Sequence, residues 1–171
     1  MPGTVLAIGI LVPLATLDNA VDGWMRSAFG VSTGLLMSGS AFAIVLAYTI
    51  RFLAVSEGAI EAGLGKVSPH LGMIARTLGR SPGRSLREVH LPLIRPALVA
   101  AGLLVFVDSM KELPATILLR PFNFETLATH VYSFASLERF EDASLAALTI
   151  VAVGLVPVVL LSRAARLGFR A

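Results

Sequence analysis

Residues 68–92 read Ser68-Pro69-His70-Leu71-Gly72-Met73-Ile74-Ala75-Arg76-Thr77-Leu78-Gly79-Arg80-Ser81-Pro82-Gly83-Arg84-Ser85-Leu86-Arg87-Glu88-Val89-His90-Leu91-Pro92. The segment divides into two short helices about Gly79. Ser68 caps the first, with Pro69 at its first helical position, where a missing N–H is no loss. Leu71, Ile74, Ala75 and Leu78 recur at helical spacing and form one apolar stripe. Gly79 stands where a helix commonly ends in a left-handed residue. The pattern then repeats: Ser81 caps, Pro82 begins, and Leu86, Val89 and Leu93 share a face. Pro92 and Pro96 mark the passage into a long apolar run, because proline suits a helix start or break. The result is a compact helix–glycine–helix knob, apolar on one side and rich in arginine on the other.

The run after the knob, Leu93 to Met110, is almost unbroken in its apolar character. A helix crossing a bilayer core needs about 20 mostly apolar residues. Three further stretches approach that length: about Pro2 to Leu17, about Val31 to Val55, and about Ala143 to Leu161. The first is short, as expected of a span whose beginning is missing. Gly34, Ser38, Gly39, Ser40, Ala41 and Ala43 put small residues on the second, as helix packing in lipid favours. Pro157 inside the fourth is tolerable where neighbours satisfy the freed carbonyl.

Composition agrees with four membrane helices. The 171 residues are 56% hydrophobic and 15% charged, with mean hydropathy +0.81. A soluble domain is nearer 45–50% apolar and about 25% charged. The absence of cysteine removes disulfide frameworks and thiolate metal sites. Met1-Pro2-Gly3-Thr4-Val5-Leu6 has no charged leader or small-residue cleavage pattern and is not a signal peptide. A net charge of +3 and a pI near 10.0 do not point to nucleic acid, because the basic residues lie between apolar spans.

Their distribution sets a topology. Seven of the fourteen Lys/Arg residues are Arg51, Lys66, Arg76, Arg80, Arg84, Arg87 and Arg95, and the tail adds Arg163, Arg166 and Arg170. The other side holds Arg26, Lys111, Arg120 and Arg139, with eight of the eleven acids. The positive-inside rule puts the 51–95 loop, with the narrower cytoplasmic segment 56–92 inside it, and the C-terminus in the cytoplasm. Loops near 18–30 and 111–142 then face outward. The expected architecture is all-α: one polytopic membrane domain over 1–171, a helix bundle of about four transmembrane helices carrying a cytoplasmic loop. In the outward segment, Leu127, Val131, Phe134 and Leu137 have the spacing of an interfacial helix.

Gly79, nine residues, Val89, His90 and Leu91-Pro92 resemble the "EAA" loop of importer permeases of the ATP-binding cassette class. Met73-Ile74-Ala75 stands where that loop has Glu-Ala-Ala, so only Ala75 of the triplet matches. Asp108-Ser109-Met110-Lys111-Glu112-Leu113-Pro114-Ala115-Thr116 and Leu118-Leu119-Arg120-Pro121-Phe122-Asn123-Phe124 resemble ferric-iron importer permeases. So do Pro2-Gly3-Thr4-Val5-Leu6 and Arg51-Phe52-Leu53-Ala54-Val55. The likeness runs along nearly the whole chain and corresponds to the last four spans of such a permease, a partial type I importer permease fold.

The resemblance implies a multi-pass permease of the bacterial plasma (inner) membrane. Its implied partners are a cytoplasmic ATP-binding cassette ATPase subunit, a second permease half or copy, an extracytoplasmic substrate-binding protein and the lipid bilayer. Cargo would be ferric iron, or alternatively thiamine, a polyamine, a phosphonate or an oxyanion. A structural or regulatory membrane protein that transports nothing is a further reading. No cofactor is expected in this chain. It has no Gly-x-x-x-x-Gly-Lys-Ser/Thr loop, and ATP would be bound by the partner.

Ala75, Gly79, Leu91 and Pro92 are the positions that match the family's loop. Arg76, Arg80, Arg84 and Arg87 are added as polar docking groups. Asp108, Lys111 and Glu112 have i, i+3 and i+4 spacing and can share one face. With Pro114, they are candidates for the translocation path; the alternative is a local ion pair at a membrane boundary. His70, His90 and His130 are scattered without metal-ligand spacing. No nucleophile turn is recognisable, so neither a catalytic nor a metal site is expected.

Overall fold

A computed structural model describes residues 2–168, with backbone alone for Leu161 and residues 163–168. The described residues are helical or irregular: α1 (Gly3–Phe29), α2 (Ala41–Leu64), α3 (His70–Thr77), α4 (Pro82–Ser85), a π-helical turn (Leu86–His90), α5 (Leu91–Met110), α6 (Pro114–Leu119), α7 (Leu127–Ala135) and α8 (Phe140–Gly168). Among the described residues, four helices are long and apolar enough to cross a membrane: Gly3–Phe29, Ala41–Leu64, Pro82–Met110 and Phe140–Leu160. The all-α, four-span expectation holds.

The boundaries of the first two spans differ from the expected ones. α1 is 27 residues long and runs well past Leu17. Asp18 and Asp22 do not end it, because each turns its carboxylate onto the connection beyond the helix. Asp18 accepts from Met37 N at 2.9 Å, Ser38 N at 2.8 Å and the Ser38 hydroxyl at 2.6 Å. Asp22 accepts from the Ser32 hydroxyl at 2.7 Å and Thr33 N at 2.8 Å. Those bonds fix residues 30–40 as a non-helical connection, and α2 begins only at Ala41. Gly34, Ser38, Gly39 and Ser40 are therefore loop residues, not the packing face of a span. α2 continues through Glu57 and Glu61 to Leu64.

The chain forms two compact units. The first comprises Met1–Phe52 and Asp108–Gly154, the second Leu53–Val107 and Leu155–Ala171, each within the described residues. In the first, α1 buries Gly3, Ala7, Ile10, Leu14 and Asp18, one stripe at helical spacing. It meets Ala43, Ile44 and Ala47 of α2 and Ala115 and Leu119 of α6 in a single apolar core. Outside that core most apolar side chains point away from protein, among them Val5, Ile8 and Val12 on α1 and Leu145, Leu148 and Val151 on α8. Lipid is an apolar solvent, so such surface carries no penalty in a bilayer.

Residues 111–142 contain two short helices where one was expected. Thr126 caps α7, its hydroxyl accepting from Thr129 N while the Thr129 hydroxyl accepts from Thr126 N. α7 stops at Ala135, and Glu138 takes a left-handed φ of 60°, which releases the exposed Leu137 from the expected stripe.

In the second unit, α4, the π turn and α5 form one unbroken helix, Pro82–Met110. The expected break at Pro92 does not occur. Pro92 has no N–H for the Glu88 carbonyl, and its ring crowds that carbonyl. The preceding turn widens instead: Leu91 N–H donates to Leu86 O, five residues back. The extra residue shifts the helical register. Ser85 and Ile94 are buried, while Leu86 and Leu93 are exposed, so Leu86, Val89 and Leu93 do not share an inward face. Pro96 and Pro157 also lie inside continuous helices.

Candidate functional site

α3 begins at His70, one residue later than expected. Pro69 occupies its N-cap with helical φ and ψ, and His70 N–H donates to the Ser68 hydroxyl at 3.4 Å. Its end is built as the sequence predicts. Gly79 has φ +75°. Gly79 N–H donates to Arg76 O at 2.9 Å and Arg80 N–H to Ala75 O at 3.0 Å. This crossed pair of bonds is a Schellman closure, and it satisfies carbonyls that the helix end leaves free. Ser81, in extended conformation, precedes Pro82 at the start of the long helix, though its side chain makes no capping bond.

The knob's surface is not divided as expected. Ala75 is buried, but Ile74 and Leu78, one turn apart, are exposed, as are Met73 and Leu86. The apolar stripe thus splits into a small inward residue and larger outward ones. The arginines divide too. Arg80 and Arg84 both pair with Glu88, at 3.4 and 3.2 Å. Arg76 and Arg87 are exposed and form no ion pair among the described residues. Leu91 and Pro92 lie exposed in the first turn of α5. His90 stands between the parts: its Nδ1 is 3.2 Å from Ser85 O, and its ring faces the open side of Gly72 on α3.

Asp108, Lys111 and Glu112 do not share a face, because α5 ends at Met110 and the helical spacing lapses. Lys111 pairs with Asp108 at 3.0 Å in a half-exposed local contact. Glu112 turns the other way and is buried. It pairs with Arg51 at 3.1 Å and accepts from Ala115 N at 3.3 Å. The Glu112 carbonyl accepts from the Thr116 hydroxyl at 2.7 Å and from the Tyr48 hydroxyl at 3.3 Å. Pro114 is exposed at the first position of α6.

Arg51 is the charged residue of this cluster least visible in the sequence. Charge counting puts it in the basic loop, on the opposite side from Glu112. The structure joins the two, so Arg51 does not belong with that loop. The available signal was spacing: Ala43, Ala47 and Arg51 are four residues apart and continue one stripe of α2. Of the tail cations, the side chains of Arg163 and Arg166 and all of Arg170 lie outside the described residues.

Farther along, Glu125 accepts from His130 Nδ1 at 3.1 Å and pairs with Arg120 at 3.4 Å. The His130 hydrogen bond, followed by that of Arg120, holds the Glu125 carboxyl below its ordinary value of 4.5 against some desolvation. A cleft of about 400 Å³ opens beside it between α7 and α8, with Asp142, Leu145 and Thr149 on its far wall. Among the described residues, no three His, Cys, Asp or Glu side chains are placed to hold a metal.

No family model matches the chain. It is 35% identical over 122 residues to the Fe(3+)-transport system permease protein FbpB 2 of Haemophilus influenzae, covering 71% of this chain and 24% of that protein. It is 32% identical over 132 residues to a protein of Salmonella paratyphi A named as a 2-aminoethylphosphonate transport system permease, PhnV, covering 77% of this chain and 50% of that one. The ferric transport system permease protein FbpB of Actinobacillus pleuropneumoniae is 25% identical over 143 residues, 84% of this chain. The chain thus spans between a fifth and a half of the length of these relatives. Over the matched stretch it is homologous to permease proteins of ATP-binding cassette transporters, corresponding to the C-terminal part of the iron permeases.

Proposed function

We propose that this chain is the membrane-embedded portion of a permease in an ATP-driven importer of the bacterial plasma membrane, receiving cargo from an extracytoplasmic binding protein. One observation carries the reading. The Schellman closure at Gly79 folds residues 79–80 back onto the end of α3, and α3 packs against the first turns of a helix that runs without interruption from Pro82 to Met110. A push on α3 therefore reaches a membrane span without passing through a flexible joint. Exposed Ile74, Leu78 and Met73, with unpaired Arg76 and Arg87 beside them, provide an apolar surface with charged edges. Such a surface suits docking on an ATPase subunit. ATP chemistry belongs to that subunit, and this chain converts its motion into a rearrangement of helices. In this reading the loop 56–92 is cytoplasmic, the segment 111–142 faces outward, and a second permease half or copy completes the pathway.

Ferric iron is the preferred cargo, on the likeness of Lys111-Glu112-Leu113-Pro114-Ala115-Thr116 to iron permeases. An aminoethylphosphonate-type cargo is the second reading, supported by the longer share of the Salmonella relative that the chain matches. The test is uptake of radiolabelled ferric iron and of aminoethylphosphonate into proteoliposomes holding the chain with its second permease half or copy, its ATPase subunit and its binding protein. ATP-dependent uptake that Gly79→Asp abolishes, while ATP hydrolysis continues, is the expected result. Uptake unaffected by Gly79→Asp would sink the knob's role, and accumulation of one cargo alone identifies it.

A further inference from the structure

We propose that Arg51 and Glu112 form a latch, closed in this structure, that opens during the transport cycle; the proposal rests on the importer reading above. The pair joins three helices at one point. α2 supplies Arg51, and Glu112 supplies the carboxylate and also accepts from the first turn of α6 through Ala115 N. α1 closes over both: a Cβ on Gly3 would stand 2.5 Å from Arg51 Nη1 and 2.7 Å from Glu112 Oε1. Only glycine lets the start of α1 lie this close.

Glu112 is buried and Arg51 half-buried, and the pair is not fully satisfied. The Glu112 side chain is 6% exposed and that of Arg51 28%. Arg51 Nη1 is buried without an acceptor. A guanidinium kept purely for stability is normally surrounded by acceptors, since an orphaned buried donor offsets the attraction that holds the pair. Here the closed state keeps one strong contact and leaves one donor unmet. Opening loses the contact and gives that donor access to water. The two states are thereby brought close in free energy, the condition for a switch driven by modest differential work. Ionisable groups on the inward stripe of an apolar span are functional by default, and this pair has no part in the knob or the charged loop. Arg51 and Glu112 are thus positioning residues for transport, setting when α1, α2 and α6 separate.

The experiment uses the assembled transporter in lipid nanodiscs. The chain has no cysteine, so Ala115→Cys gives it a single thiol at a site 1% exposed, next to the pair. Labelling of this chain by a membrane-impermeant maleimide then reports latch opening. Two variants break the pair in independent ways. Glu112→Gln removes the charge and keeps the shape. Gly3→Ala keeps both charges and displaces only flexible side-chain ends, so it remains folded even if Glu112→Gln does not. Expected are labelling at least several-fold faster in both variants without ATP, and raised ATP hydrolysis without binding protein. Labelling as slow in both variants as in the parent would overturn the latch. Fast labelling in the variants, with a parent that never responds to ATP and binding protein, supports the latch and removes the importer reading instead.

Discussion

Asp18 receives the backbone N–H of Ser38 at 2.8 Å and the Ser38 hydroxyl at 2.6 Å, so one buried carboxylate of α1 fixes the chain that leads into α2. Charge-assisted bonds of this kind are roughly twice as strong as neutral ones. Replacing Asp18 by Ala orphans the Met37 and Ser38 donors, whereas Asn keeps one acceptor. Asp18→Ala is expected to lower the thermal unfolding midpoint in detergent by several degrees, and Asp18→Asn by less. An Asp18→Asn midpoint equal to the parent's would show that the charge contributes nothing.

At Gly79, φ is +75° and no atom lies within 4 Å of a built Cβ. Substitution there is strained by backbone conformation, not by crowding. Gly79→Ala should cost roughly 1–2 kcal/mol and loosen the Schellman closure while the spans stay folded. The observable is the ratio of cargo moved to ATP hydrolysed, which should fall with little change in expression or helical content.

The Glu125 carboxyl is held below its ordinary 4.5 chiefly by His130. A depressed folded-state value means the stabilisation is present above about 4.5 and is lost as pH falls through the folded value. Unfolding midpoints followed from pH 6 to pH 3 should decline in the parent. The decline should be shallower in Glu125→Gln, and parallel curves would contradict the assignment.

Gly63 and Ala97 meet at a helix crossing where a Cβ on Gly63 would clash with the Ala97 Cβ. Gly63→Ala should therefore cost about 1–3 kcal/mol by overpacking. The double variant Gly63→Ala with Ala97→Gly should recover most of the loss, because the methyl is moved across the same contact. Chemical or thermal unfolding of the parent, the two single variants and the double variant closes the cycle.

Four spans and the Gly79 closure were legible because each rests on local information: a run of apolar residues, or a glycine at a helix end. The Gly79 reading needed no tertiary contact: the left-handed φ expected there is found, and crossed hydrogen bonds onto Ala75 and Arg76 accompany it. The limits of the first two spans were not legible. Hydropathy cannot distinguish an aspartate that ends a helix from one, such as Asp18, whose bonds lie twenty residues ahead. The inward faces of the long helix failed for a different reason. Periodicity assumes 3.6 residues per turn, and the π turn before Pro92 breaks that count, which exposes Leu86 and Leu93. The candidate path residues were half legible. Lys111 and Asp108 form the local ion pair that was the alternative to a path, while Glu112 found a partner, Arg51, that charge counting had sent to the other side of the membrane.

The π turn at Leu86–His90 has a geometric consequence of its own. It holds one residue more than an α-helical turn requires, and one residue corresponds to about 100° of rotation about a helix axis. The compass bearing of everything before Leu86, relative to everything after His90, is therefore set by the length of this turn. A single-residue deletion there can be absorbed by returning to an ordinary helix with the knob's bearing kept, whereas a return to an ordinary helix with all five residues retained would swing the knob around the axis of its span by more than a quarter of a circle.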